Sequence, residues 1–304
     1  MAPGDQRALR RVAFPAAAGD NYRVPELPEI EITARLIGAA VTGQMVGSVA
    51  APGLNTVKTF RPPTQVLEGY ELTGIRRRGK LLIVDSGSGF SLLIHLMSAG
   101  RLQLFEAPAS ATDRTSRLLI RLDSGQELRL REFGTRQRAW AKVAGTGEVE
   151  VDDYLTGLGP EAWPDPPELG PLLDSPRPLY TALRDQTVIA GIGRAWVDEI
   201  LWTARLSPFK RGEDLSAGEA DTLRAATVER LDGAIHHYEH ALSLPLPHKL
   251  PRPLQVHHRE DEACPRCGTT IEAVHYRDYV MCYCPAEQTG GRSLKDRRLS
   301  KLLK

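Results

Sequence analysis

The chain has 304 residues, 41% of them hydrophobic, which suffices for real cores in roughly two domains. Its 39 Lys and Arg nearly balance 38 Asp and Glu, so no global cationic field recruits nucleic acid, and any such partner has to be met by local patches. No apolar stretch approaches the roughly 18 to 20 residues that span a bilayer.

In chain order, residues 1–24 are rich in Ala, Arg, Gly and Pro, and their only apolar run, VAFPAAA, is short and broken by Pro15. Neither a secretory signal nor a regular element is expected there. From Pro25 the pattern changes: Leu27, Ile30, Ala34 and Ile37 recur at helical spacing, predicting a helix from 27 to 40, with Pro28 tolerated in its first turn. Short apolar segments follow at 70–85, 90–105, 116–123 and 126–132, with hairpin-like junctions DSGSG (85–89) and DSG (123–125). Strands in such a series predict a β-sandwich.

The Pro/Gly-rich stretch 157–178 reads as a domain boundary. Helical patterns come next, in PLYTALRDQTVIAG, RAWVDEILWTARL and SAGEADTLRAATVERLDGAIHHYEHAL, and a second proline-rich break, LPLPHKLPRP at 244–253, precedes the cysteines. All four cysteines fall in the last part of the chain, as Cys264-Pro-Arg-Cys267 and Cys282-Tyr-Cys284. Such clustering indicates a metal site in a reducing compartment rather than a disulfide framework. The expected fold class is α+β: a disordered extension at 1–24, a sandwich domain at 25–150, a helical domain at 151–260, and a cysteine ribbon with a basic tail at 261–304.

The string PELPEIE at 25–31 resembles the opening of the formamidopyrimidine-DNA glycosylase / endonuclease VIII family. There the proline is the first residue of the mature chain and its amine is the nucleophile. The resemblance implies Pro25 as nucleophile, Glu26 as acid/base and Glu29 as its support. An α-amino group, with a reference pKa of about 7.7 to 8.0, is in sizeable part unprotonated near neutrality. Attack of that amine on the sugar C1′ forms an iminium, displaces the base and allows strand cleavage by elimination. Taken alone, the string is equally an acidic helix start, since Pro and Glu both suit a first turn.

Further stretches occur in the family's order. RRRGKLLIV (76–84) resembles its phosphate-gripping segment, which implies that role for Lys80. HLMSAGRL (95–102) resembles a loop whose methionine fills the hole left by a flipped base; Met97 sits one place early, and core packing is its more ordinary use. LREFGTRQRAW (130–140) lies where the family has a wedge of arginine and phenylalanine, making Phe133, Arg136 and Arg138 candidates. DQTVIAGIGRAWVDEILWTARLSPF (185–209) resembles the helix–two-turn–helix, with Gly191 and Gly193 in the turn and Arg194 where the family has asparagine. The amides opening the next helix suit a phosphate, as does Arg194.

The family's ribbon reads CxxC, sixteen residues, CxxC. Counting from Cys267 lands on Cys284 and then on Glu287, so the implied zinc ligands are Cys264, Cys267 and Cys284, with Cys282 favoured over Glu287 as the fourth because thiolate is the softer ligand. The finger-tip arginine of the family falls on Tyr279, with Arg277 as a stand-in on the same strand face. The tail holds Arg292, Lys295, Arg297, Arg298, Lys301 and Lys304, which suits phosphate contact or a solvated helix end alike.

Together these blocks cover roughly residues 25–304. They imply a bifunctional glycosylase and abasic-site lyase acting on damaged double-stranded DNA, a monomer in the cytoplasm with one structural zinc. Which oxidised base is preferred is not implied. As written, the Pro25 nitrogen is a tertiary amide, so a retained extension would leave a catalytically silent lesion binder; a ribbon interaction protein is a further alternative. A valine codon GTG is also a bacterial start codon, and a start at Val24 followed by methionine trimming places Pro25 first. The expectation is that the working enzyme begins there.

Overall fold

The computed structural model describes residues 24–53, 55–110, 113–134, 137–276 and 279–294. Helix α1 spans Leu27–Val41. Eight strands follow: β1 Val46–Ala50, β2 Leu72–Arg78, β3 Leu81–Ser86, β4 Phe90–His95, β5 Gly100–Phe105, β6 Ser116–Leu122, β7 Glu127–Glu132 and β8 Trp140–Gly145. They pair antiparallel into two four-stranded sheets, ordered β1-β6-β7-β5 and β2-β3-β4-β8. Inward residues of both sheets, among them Val46, Leu82, Leu92, Leu104, Ile120 and Leu128, share one buried cluster, so the sandwich is real. The apolar run of β3 is continuous because both faces are covered. Leu82 and Val84 face the inter-sheet core, while Leu81 and Ile83 pack with Val149 and Leu155 behind it.

The second half is helical: α2 Asp153–Thr156, α3 Leu169–Leu173, α4 Leu179–Ala182, α5 Arg194–Thr203 and α6 Ala217–Ala241. The stretch 178–191, helical by its pattern, keeps only the single turn α4. Asp185 Oδ1 accepts from the Thr187 amide (3.0 Å) and hydroxyl (2.7 Å), a side-chain turn that competes with the helix ladder. A ribbon of β9 Glu272–His275 and β10 Val280–Tyr283 ends in the short α7, Pro285–Gln288. Among the described residues no helix is long and apolar enough to cross a membrane.

Two features position the site. Helix α1 belongs to both cores: Ile30, Ile37 and Val41 enter the sandwich cluster, whereas Leu27 and Ile32 enter the helical one. Its N-terminus is thereby fixed at the junction between the two halves. The proline-rich segment 244–253 is an ordered strap rather than a mere break. Leu246 is buried in the sandwich core, its carbonyl accepts from Gln103 Nε2 (2.5 Å), and the His248 carbonyl accepts from Arg101 Nε (2.6 Å). The strap carries part of the predicted helical region back onto the sandwich. Sequence patterning misses this because its prolines disguise a buried apolar segment.

Candidate active site

The beginning of α1 meets the two-glycine turn before α5. The Leu27 amide donates to the Gly191 carbonyl (3.0 Å), and Gly191 has φ +108, the left-handed region that favours glycine. A Cβ on Gly191 would stand 2.4 Å from Leu27, and one on Gly193 would stand 2.2 Å from the Glu26 carboxyl carbon. Both glycines are there because the backbone of the turn lies directly against the start of α1.

That approach decides where Glu26 goes. Its Oε1 accepts from the Ala195 amide (3.0 Å) and its Oε2 from the Trp196 amide (3.3 Å). By sequence these opening amides suit a phosphate. Instead the chain's own carboxylate occupies the positive end of α5, because residue 26 is already buried beside it.

Glu29, 3% exposed, is the centre of a buried network. It accepts from the Glu26 amide (2.8 Å), Trp196 Nε1 (3.2 Å), Tyr238 Oη (2.7 Å) and Arg252 Nη2 (2.9 Å). Arg252 also donates to the Val24 carbonyl and lies 3.9 Å from Glu26 Oε1. Burial of the Tyr238 ring with Glu29 beside it raises the phenol well above its usual value, so Tyr238 is a hydrogen-bond donor throughout the physiological range.

Lys80 sits in the β2–β3 turn behind Gly79 (φ +56) and donates to the Ile192 carbonyl at 2.8 Å. Burial pulls its ammonium below the ordinary lysine value, partly offset by the Glu26 carboxylate. Pro25, Glu26, Glu29 and Lys80 therefore occupy one junction, contributed by α1, the β2–β3 turn and the turn before α5.

Met97 does not join either core. It is half-buried in the β4–β5 connection with φ 51, rare for a residue with a side chain. Its amide donates to His95 Nδ1 (2.9 Å), and His95 stacks on Trp140 and meets the edge of Tyr154. An Nδ1 that accepts requires neutral imidazole, and burial with Lys80 nearby lowers the His95 pKa to about 4. The unfolded histidine takes up its proton below about 6.5. Stability present above that pH should therefore fall as pH drops from 6.5 towards 4, by up to about 2–3 kcal/mol. Denaturant titrations of the parent and His95→Gln across this window check it; an identical pH slope in both would refute the assignment.

Phe133 is half-buried between Arg131 (4.8 Å) and His248 (5.3 Å), and Arg138 is exposed with its amide bonded to Glu132. Arg136, Arg277 and the tail from Lys295 onward lie outside the described residues. Arg194 is exposed, with its guanidinium 4.6 Å from the Tyr279 ring. Tyr279 in turn stacks on Tyr276 at 4.4 Å, and Arg184 lies 4.7 Å from both Tyr180 and Tyr279. The finger thus docks onto the helical domain through aromatic and guanidinium faces.

Sulfurs of Cys264, Cys267 and Cys284 form a group able to hold a metal ion, with Cys267 and Cys284 Sγ 3.4 Å apart. Neither expected fourth ligand joins them. Glu287 is held by Arg205 (2.9 Å) and Arg266 (3.0 Å). Cys282 turns to a second buried group with Asp198 and His257. Asp198 Oδ2 is 2.6 Å from His257 Nδ1 and accepts from the Cys282 amide (3.0 Å), while Glu199 accepts the amides of Gln255, Val256 and His257. These adjacent acids latch the ribbon to α5, the helix that holds Glu26. Trp196, Tyr238, Arg252, Arg184 and Asp198 were not identified from the sequence. Each looks like an ordinary helical or loop residue until distant segments meet.

Residues 24–137 match the formamidopyrimidine-DNA glycosylase N-terminal domain, and residues 170–244 match the H2TH domain of the same enzyme. The chain is 30% identical over 279 residues to the formamidopyrimidine-DNA glycosylase of Lactococcus lactis subsp. cremoris, covering 87% of this chain and 99% of the relative. It is 28% identical over 278 residues to that of Pediococcus pentosaceus, covering 86% and 98%. The solved complex of Lactococcus lactis Fpg (MutM) with DNA containing N7-benzyl-Fapy-dG superposes with a TM-score of 0.77 at 28% identity, covering 87% of this chain and 100% of that one. The complex of the same enzyme with abasic-site DNA gives 0.77 at 26%, covering 87% and 99%. A β-sandwich joined through one shared helix to a two-turn helical domain and a cysteine ribbon is the architecture of a DNA glycosylase. This chain belongs to the formamidopyrimidine-DNA glycosylase family.

Proposed function

We propose that this protein removes oxidised bases from double-stranded DNA and cleaves the resulting abasic site through an iminium formed on Pro25, the first residue of the working chain. The observation that carries the reading is the convergence of Glu26 and Glu29 at the start of α1, Glu26 held by the opening amides of α5 and Glu29 by buried donors from α5, α6 and the strap. A fixed carboxylate one residue from the amine is suited to move protons on the sugar and the leaving base. Lys80 faces the same junction and takes a backbone phosphate in exchange for the Ile192 carbonyl.

Met97, with φ 51, Phe133 and Arg138 fill the space left when the damaged nucleotide leaves the stack. Arg194 binds phosphate beside Gly193. Cys264, Cys267 and Cys284 would supply three thiolates to one structural zinc ion, which would stiffen the ribbon against α5. The protein acts as a monomer on the nucleoid in the cytoplasm.

Borohydride trapping on duplex DNA tests the central claim. A chain starting at Pro25 should give a covalent complex, and one retaining Val24 or carrying Pro25→Gly should not. Equal trapping by the chain with residues 1–24 intact would make the nucleophile assignment wrong. DNA binding without trapping by the Pro25 chain would favour a silent lesion binder.

A further inference from the structure

Arg252, the strap donor that holds Glu29, is a buried cation beside the Pro25 nitrogen as well. It comes from the proline-rich strap, its side chain is 5% exposed, and it reaches the beginning of α1 across the domain junction. Its Nη2 is bonded both to Glu29 Oε2 (2.9 Å) and to the carbonyl of Val24. That carbonyl carbon is the atom attached to the Pro25 nitrogen. Covalent geometry therefore sets the guanidinium within about 5 Å of the nitrogen. Once Val24 is gone, Nη2 loses that acceptor and faces the amine itself.

We infer that Arg252 is a positioning residue that keeps the Pro25 amine unprotonated and aimed at the sugar, by opposing the charge of Glu26 and Glu29. This inference rests on the proposed function. Two carboxylates lie on the first turn of α1, and by themselves they would favour the ammonium form, which has no lone pair. A cation this close disfavours a second positive charge, while its bond to Glu29 fixes the turn that carries the amine. The other charged or titratable groups in electrostatic reach among the described residues are Lys80 from the β2–β3 turn, Arg184 from the loop after α4, Arg101 on β5, Tyr238 on α6 and Asp198 on α5, whose carboxyl accepts from the Cys282 amide. Lys80 turns its ammonium to the Ile192 carbonyl and Tyr238 gives its proton to Glu29. Arg101 is directed to the His248 and Gly100 carbonyls. Arg252 bridges Glu29 and the carbonyl attached to the Pro25 nitrogen.

The test measures borohydride-trapping rates on an abasic-site duplex between pH 5.5 and 9 for the chain beginning at Pro25, and for its Arg252→Met and Arg252→Lys variants. Every contact invoked here belongs to Val24 or later residues. Arg252→Met should move the midpoint of the pH profile to higher pH by about one unit. Trapping would then be about tenfold slower at pH 6.5 and nearly restored at pH 9. Arg252→Lys, which keeps the charge, should retain the parent midpoint. If Arg252→Met does not fold, Arg252→Gln gives the same comparison with a hydrogen bond to Glu29 preserved. A loss of equal size at every pH would overturn the inference and leave Arg252 a scaffold residue. A parent chain that never traps overturns the proposed function and this inference with it.

Discussion

Gly193→Ala should reduce trapping and base release about a hundredfold or more while leaving the protein folded. The substituted Cβ would lie 2.2 Å from the Glu26 carboxyl carbon and 2.5 Å from its Oε2. Glu26 would have to abandon the amides of Ala195 and Trp196, and a displacement of about 1 Å at a reacting group can cost about a hundredfold. The backbone itself accepts alanine, since Gly193 has φ −127 and ψ −156, so the variant probes contact and not strain. Losing two charge-assisted hydrogen bonds, at about 1.5 kcal/mol each, should cost about 3 kcal/mol of stability. Single-turnover rates and a denaturation curve decide the matter. Activity within about threefold of the parent would mean that the position of Glu26 is not critical.

Glu29→Ala should be the most damaging single change to stability, at about 3–5 kcal/mol. Four donors lose their common acceptor, and the Arg252 guanidinium is left buried with Glu26 no closer than 3.9 Å. The thermal midpoint should fall by about 10 °C. The cause can be separated from simple loss of packing. Glu29→Ala combined with Arg252→Met removes the stranded charge and should be more stable than Glu29→Ala alone. If the second substitution instead added its own full penalty, the unpaired guanidinium would not be the source of the effect.

These expectations also show what kind of protein this is. Its two halves are joined less by a linker than by a shared helix and a returning strap. Ile30 and Leu27, three residues apart, enter different cores. The ribbon is fastened to the same machinery through Asp198 and Glu199, one turn after the amides that hold Glu26. The cysteine group of the ribbon and the geometry at the junction are thereby connected through α5.

Much of this was legible in the chain alone. Short apolar segments punctuated by the DSGSG and DSG junctions predict the sandwich, because turn residues recurring between apolar runs mark a series of strands. The spacing of Leu27, Ile30, Ala34 and Ile37 predicts helix α1, and PELPEIE points to the family only together with the blocks that follow it in the same order. The pair of glycines at 191 and 193 was recognised as a turn. Its occupant was not: a sequence reading offers the α5 amides to a phosphate, while the fold gives them to Glu26.

Tertiary structure alone decided the partners of the buried charges. Arg252 looked like one cation in a proline-rich break, and it lies 223 residues from the glutamate it binds. Cys282, favoured as fourth ligand because thiolate is the softer donor, turns towards Asp198 and His257, because a ligand's chemistry does not specify which neighbours cover its strand. Local patterns are set by which faces must leave water, and those are written residue by residue. Pairings across the junction depend on how two separately legible halves dock, and no period in the sequence records that.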